Sequence, residues 1–282
     1  FANSDFEEGK NVVKNLMEEI YKSNGHISEI INERKENKNR REEVGNGLIF
    51  SYAGHDTTGN TLTFLIYELC KNKTHQKMLQ KEVDKFWLSQ DELQMTYKDL
   101  KRLPFMTRCI METLRLWPAL ANGTFRELTE DDYVIGKNNE KVEVSKGTYV
   151  QIPNWFRHRN PELWGEDVNE FNPNREFIDE ELWEGTVINS YNPSTPRFSP
   201  FTYTPRDCIG KNFSQIEMRI ILLHLLQRYD FELADLQEQQ DNKYFVYNRF
   251  TMGPRNVNNK SKNDSNLGLY VKIKRRNLMC KL

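Results

Sequence analysis

Three groups of residues have types and spacings that can carry chemistry. Cys208 stands two residues after Arg206 and two before Gly210, directly ahead of a helical pattern that opens near Lys211. A thiol near a helix N-terminus has its thiolate favoured by local dipoles and free N–H groups, and a thiolate is both nucleophile and metal ligand. Arg206 can bind an anion beside it, and Gly210 lets the chain turn without a side-chain clash. Asp56 and Thr57 put an acid next to an alcohol within Ala53-Gly54-His55-Asp56-Thr57-Thr58-Gly59. Such a pair can relay protons from solvent, and Gly54 leaves a gap through which a flat ligand can approach the backbone. Glu112 and Arg115 are three apart on one helix and share a face. Each group also has a plainer reading. These are a buried apolar cysteine in a tight turn, a helix kink with locally satisfied polar groups, and a surface ion pair.

The elements that must position these groups are mostly helical. Leu48, Tyr52, Leu62, Leu65, Ile66 and Leu69 recur at helical spacing and predict one long helix over about 41–70, with small and polar residues at its middle. Shorter helices are expected over 7–22, 27–33 and 75–87. Pro104 opens a further helix and Pro118 stops it, with Phe105, Cys109, Ile110, Leu114 and Leu116 inward. Residues 133–135, 142–144 and 148–152 read as short strands between turns. Residues 160–205 are rich in Pro, Asn and aromatics with little period, as in a long ordered loop that wraps something. The last strong helix covers about 211–229, with Ile216, Ile220, Leu223 and Leu226 as its stripe. Strand-like runs follow at 229–233, 244–247 and 269–273.

The 282 residues hold no internal repeat and no second core. Forty basic and 41 acidic residues give a formal net charge of −1, so no global basic field exists to hold nucleic acid. The four cysteines form no CxxC pair, which argues against a disulfide scaffold or zinc knuckle and for a reducing compartment. No run of 18 apolar residues occurs, and neither HExxH nor GxxxxGK[ST] is present. The opening Phe1-Ala2-Asn3-Ser4-Asp5 reads as the middle of a longer protein rather than a signal peptide or an initiation site.

The segment Phe201-Thr202-Tyr203-Thr204-Pro205-Arg206-Asp207-Cys208-Ile209-Gly210 closely resembles the heme-binding loop of the cytochrome P450 family, FxxGxRxCxG, with Thr204 where the family has glycine. The resemblance implies heme b as cofactor and Cys208 as the axial thiolate of its iron. Arg206 is implied on a propionate, with Phe201 packed beside the sulfur. Ala53 to Thr58 is similar to the family's oxygen-activation motif, which implies Gly54 at the heme and Asp56 and Thr57 as the proton-delivering pair. Glu112 and Arg115 fall in a stretch that looks like the family's K-helix, and Phe171, Pro173 and Arg175 fit its FxPxR segment. Glu112 is then expected to bridge Arg115 and Arg175 in a buried structural network. Arg126 is implied as a second propionate partner. His158-Arg159-Asn160-Pro161 with Trp164 is similar to the HRDPxxW stretch, implying packing and turn capping. Ala119 to Thr124 would line the pocket above the heme.

The expected fold is mainly α with small β-sheets: the C-terminal portion of the P450 fold, from the long I-helix through the heme-binding loop and the L-helix. Residues 1–282 are then a partial domain whose N-terminal part is missing. The implied function is a heme-thiolate monooxygenase that inserts one oxygen atom from O2 into an apolar or lipid-like substrate. Electrons would come from an NADPH-dependent reductase or a ferredoxin-type donor, through a surface near Cys208 to which Lys211, Arg219 and Arg228 could contribute. A heme-thiolate isomerase or dehydratase and a degenerate non-enzymatic heme-binding protein are the alternatives. The chain is expected to face the cytosol, with association to the endoplasmic reticulum membrane through the missing N-terminal segment. The basic tail, Lys272, Lys274, Arg275, Arg276 and Lys281, is either a small contact patch or a solvated end.

Overall fold

The computed structural model describes residues 40–89, 95–178, 181, 195–202, 206–234, 245–248, 251–255 and 271–276. The helices expected over 7–22 and 27–33, and Thr204, lie outside the described residues. The chain divides into two compact units, 1–52 and 53–282.

Helix α1 (Arg40–Lys71) crosses that division. In the first unit residues 45–52 are exposed, Leu48 and Tyr52 included, so the expected apolar stripe does not start there. In the second unit burial begins at Thr58 and deepens through Phe64, Leu65 and Leu69. Thr57, Thr61 and Thr63 return their hydroxyls to the carbonyls of Ala53, Thr57 and Gly59 at 2.8, 2.9 and 2.8 Å. This back-bonding lets threonines stand inside a helix with their polar groups satisfied.

Helix α2 (Lys73–Leu88) is capped by Asn72, whose side chain accepts from His75 N at 3.1 Å. Its Leu79, Val83 and Phe86 face the core. Helix α3 (Pro104–Leu116) starts with proline at a first-turn position. The Glu82 carboxylate accepts from the N–H groups of Phe105 and Met106, both at 2.8 Å, and so satisfies donors left open at the start of a helix. Among the described residues four antiparallel pairs follow: β1 (Thr124–Glu127) with β4 (Tyr149–Ile152), β2 (Asp132–Ile135) with β3 (Lys141–Val144), β5 (Tyr229–Leu233) with β8 (Val271–Arg275), and β6 (Phe245–Asn248) with β7 (Met252–Arg255). Gly123 enters β1 at φ +66, and a Cβ there would stand 1.8 Å from the Ile152 carbonyl oxygen, so only glycine fits.

The expected loop over 160–205 carries short helical turns, α4 (Asn154–Arg157) before it and α5 (Pro161–Trp164) at its start. Asn160 caps α5 by accepting from Glu162 N at 3.0 Å. Helix α6 (Lys211–Arg228) buries Gln215, Met218, Arg219, Leu222, Leu223 and Leu226. Ile216 and Ile220 are partly buried at the margin of that stripe. The main core joins the end of α1 to α2, α3 and α6. Each fully buried leucine in it contributes roughly 1.5–3 kcal/mol relative to exposure. A smaller core gathers Phe64, Ala121 and Met252 with Trp117 and Trp155 around it. Strand β8 is held beyond its ladder: Arg276 donates to the Asp84 carboxylate at 2.7 and 3.0 Å and to the Leu226 carbonyl at 2.6 Å. That part of the basic tail is an anchor.

Candidate functional site

The cysteine segment is a closed loop at the head of α6. The Cys208 N–H donates to the Phe201 carbonyl at 3.0 Å, and the Lys211 N–H donates to the Cys208 carbonyl at 3.3 Å. Thr202 takes φ +65, a costly conformation for a β-branched residue. Two bonds fix it there: its N–H donates to Ser199 O at 3.1 Å and its hydroxyl to Arg206 O at 3.0 Å. Phe201 packs against the main core and ties the loop to it. Backbone N–H groups of Gly210 and Lys211 favour the thiolate form of Cys208.

The residue is exposed as a whole, yet crowding around its sulfur raises the thiol above the ordinary cysteine value. The N–H donors and the Lys211 charge oppose that rise, while Asp207 adds to it. A helix N-terminus alone predicts a depressed value; desolvation wins here. Coordination to a metal would reverse the balance by removing the proton outright.

On α1, Gly54 is exposed, and a Cβ built there meets nothing within 4 Å. The Thr57 hydroxyl is committed as donor to Ala53, which leaves its lone pairs to accept from water. Asp56 is half-buried, and its carboxylate accepts from the Thr251 hydroxyl.

Glu112, Arg115 and Arg175 meet in one buried network. Glu112 receives Arg115 through two parallel bonds of 2.7 Å and Arg175 Nε at 3.0 Å. Arg115 spends its other hydrogens on the carbonyls of His158, Val168 and Glu170, at 2.8, 2.7 and 3.1 Å. Arg175 adds Asp167 at 2.8 Å. All donors of this charged cluster therefore end on oxygen, the condition for tolerating buried charge.

Arg126 and Arg206 are exposed and have no acidic partner among the described residues; Arg126 donates only to the Phe125 carbonyl, at 2.9 Å. The donor set fits heme. It offers a sulfur flanked by N–H donors, two arginines open to carboxylates, and a glycine face that a flat ring can approach. Cys208, Arg206, Arg126 and Gly54 are the residues that would hold it.

One sequence expectation needs correction. Arg219 is 2% exposed and donates to Gln215 O and Thr107 Oγ1, both at 2.9 Å, so it is a core arginine and not a docking charge. Burial pushes it down to about 10. Asn122, expected to line the pocket, is exposed, and its carbonyl accepts from Gln151.

Several residues near the site carried no usable sequence signal. Gln76 hydrogen-bonds both backbone groups of Phe231 in β5, at 3.0 and 3.3 Å, although a glutamine in a helix reads as surface. Glu217 of α6 is pushed up by burial, with the charge of His55 opposing. Arg159 lies 3.4 Å over the Trp155 ring, and burial pushes it down to about 9. Thr251 is 195 positions from Asp56.

The family described as Cytochrome P450 matches residues 9–258. A Caenorhabditis elegans protein bearing the name cytochrome P450 CYP13A2 is 35% identical over 196 residues, which cover 69% of this chain and 34% of that protein. A second from the same organism, bearing the name CYP13A4, is 28% identical over 256 residues, 91% of this chain and 43% of that protein. Cytochrome P450 3A12 of Canis lupus familiaris is 34% identical over 191 residues, covering 68% and 34%. The chain spans well under half the length of these curated relatives. With the family match reaching across most of its length, the mainly helical fold is that of the family: this chain belongs to the cytochrome P450 family.

Proposed function

We propose that the protein is a heme-thiolate monooxygenase that inserts one oxygen atom of O2 into an apolar or lipid-like organic substrate. Residues 1–282 form the C-terminal portion of its catalytic domain. The observation that carries this reading is Cys208 at the head of α6, its N–H on the Phe201 carbonyl at 3.0 Å and that phenylalanine packed against the main core.

Bound heme supplies the activation of O2. The chain's own residues hold, orient and protonate. Cys208 would hold the iron through its thiolate, which the N–H groups of Gly210 and Lys211 favour. Arg206 and Arg126 would pair with the heme carboxylates. Phe201 would limit water beside the sulfur, and Gly54 would leave room for the cofactor at α1. Asp56 takes protons from solvent, and Thr57 presents its acceptor lone pairs to a water that carries them inward. Glu112, Arg115 and Arg175 act structurally, by holding the chain that supports the loop. An isomerase or dehydratase that uses no O2 needs no such relay, so the Asp56–Thr57 pair favours the oxygen-using reading.

Electrons come from an NADPH-dependent reductase or a ferredoxin-type donor near Cys208, with Lys211 at that face; Arg228 stands at the other end of α6, about 25 Å along the helix. The reading includes a cytosol-facing protein held at the endoplasmic reticulum membrane. Among the described residues no helix is long and apolar enough to cross a membrane.

The test is the absorption spectrum of the full-length protein, reduced and exposed to carbon monoxide. A red-shifted thiolate-type Soret band that is lost in Cys208→Ala is expected. A band that survives the substitution would show that another residue ligates the iron and would overturn the assignment.

A further inference from the structure

The acid of the long helix is tied to a distant strand. Thr251, immediately before β7, is 2% exposed, and its hydroxyl donates to Asp56 Oδ2. The same hydroxyl oxygen accepts from Asn60 Nδ2 at 3.4 Å. Met252 follows, 1% exposed, with its N–H on the Ala119 carbonyl at 2.8 Å and its side chain in the small core with Phe64. Asp56, Asn60 and Phe64 recur every four residues and so lie along one face of α1. That face receives Thr251 through two polar groups and Met252 through an apolar one.

A proton-delivering acid works only when its oxygens are fixed relative to donor and acceptor. A half-buried aspartate has several χ1 wells within reach, and a hydroxyl bonded to one oxygen selects among them. Asp56 Oδ1 has no hydrogen-bond partner among the described residues. The two oxygens therefore differ: Oδ2 is held by Thr251, and no described residue holds Oδ1.

We propose that Thr251 is a positioning residue for Asp56, its hydroxyl clamping Oδ2 so that Oδ1 exchanges protons with water. This rests on the reading of Asp56 as the proton-delivering acid. It couples the β6–β7 hairpin to proton supply, because Thr251, immediately before β7, holds the acid.

The experiment uses the full-length protein and three single variants, Thr251→Val, Thr251→Ser and Asp56→Asn, with the Thr251→Val/Asp56→Asn double. Valine keeps the shape and removes the hydroxyl. The first readout is hydrogen exchange at the Met252 amide, which needs no turnover. Each of Thr251→Val and Asp56→Asn should speed it roughly tenfold, as for loss of one hydrogen bond to a charged acceptor, with no further gain in the double. The second readout is the share of NADPH electrons that reaches product instead of hydrogen peroxide. Thr251→Val should lower it roughly tenfold with KM unchanged, and Thr251→Ser should restore it.

Faster exchange with an unchanged electron share would mean that Thr251 only anchors the hairpin, and would overturn the inference. Additive effects on exchange would do the same. If the wild type lacks the thiolate-type band, the monooxygenase reading falls and takes the inference with it. If the band is present and Thr251→Val keeps its coupling, only the inference falls.

Discussion

Glu112 and Arg175 stand 63 positions apart in the chain, and Arg175 Nε donates to Glu112 Oε1 at 3.0 Å inside a site where the Glu112 side chain has no exposure at all. That oxygen also accepts from Arg115 and from the Asn172 N–H. One carboxylate thereby fixes α3 against the segment that follows α5.

Glu112→Gln should cost about 3–5 kcal/mol of stability, because it leaves two buried guanidinium groups short of a counter-charge. Urea unfolding of the full-length protein checks this. A loss under 1 kcal/mol would mean that the arginines' carbonyl partners suffice on their own.

Arg126→Ala and Arg206→Ala should each loosen the cofactor without unfolding the chain, since both side chains are exposed. Loss of one charge-assisted contact predicts heme transfer to an apo-globin scavenger roughly tenfold faster. A variant that releases heme at the wild-type rate places its arginine outside the propionate contacts.

Gly123→Ala should destabilise the β1–β4 pair. A left-handed φ alone costs an L-residue roughly 1–2 kcal/mol, and the new Cβ would also have to displace the Ile152 carbonyl. A fall in Tm is expected.

His158 sets an acid limit. It is fully buried, and desolvation, joined by the charges of Arg157, Arg115 and Arg159, holds it well below its ordinary 6.5. The unfolded chain therefore binds a proton below about pH 6.5 that the native chain refuses, so stability falls as pH drops through that value. His75, lowered by burial, acts in the same direction. For His158 the slope should approach about 1.4 kcal/mol per pH unit once the pH is below about 6.5. His158→Phe should flatten it in urea titrations at pH 7.5 and 5.5.

Gln76→Leu should cost about 1–3 kcal/mol, the penalty for orphaning buried backbone groups of Phe231. Faster hydrogen exchange at Phe231 is the direct readout.

The helices were legible because their signals are local. Pro104 and Pro118 bracket α3, and the apolar period of α1 resumes at Leu62 and runs to Leu69. The thiol loop was legible because its residues are consecutive. What stayed hidden depends on partners far along the chain. Arg219 reads as surface from its charge, yet Thr107 and the Gln215 carbonyl let it sit in the core. Strand β1 is mostly exposed and lacks the alternation that marks a half-buried strand. Leu48 and Tyr52 keep helical period while facing outward, because periodicity records an amphipathic face and not what covers it. Thr251 offered no pattern; only the folded chain brings it to Asp56.

The pairing of β5 with β8 has a consequence for biogenesis. A ribosome releases β5 well before β8, and in that interval β5 presents an open edge of N–H and C=O groups. The Arg276 contacts that join α2 to the end of α6 are missing over the same interval. Nascent chains stalled between Leu233 and Val271 should therefore be the aggregation-prone species and the preferred clients of chaperones.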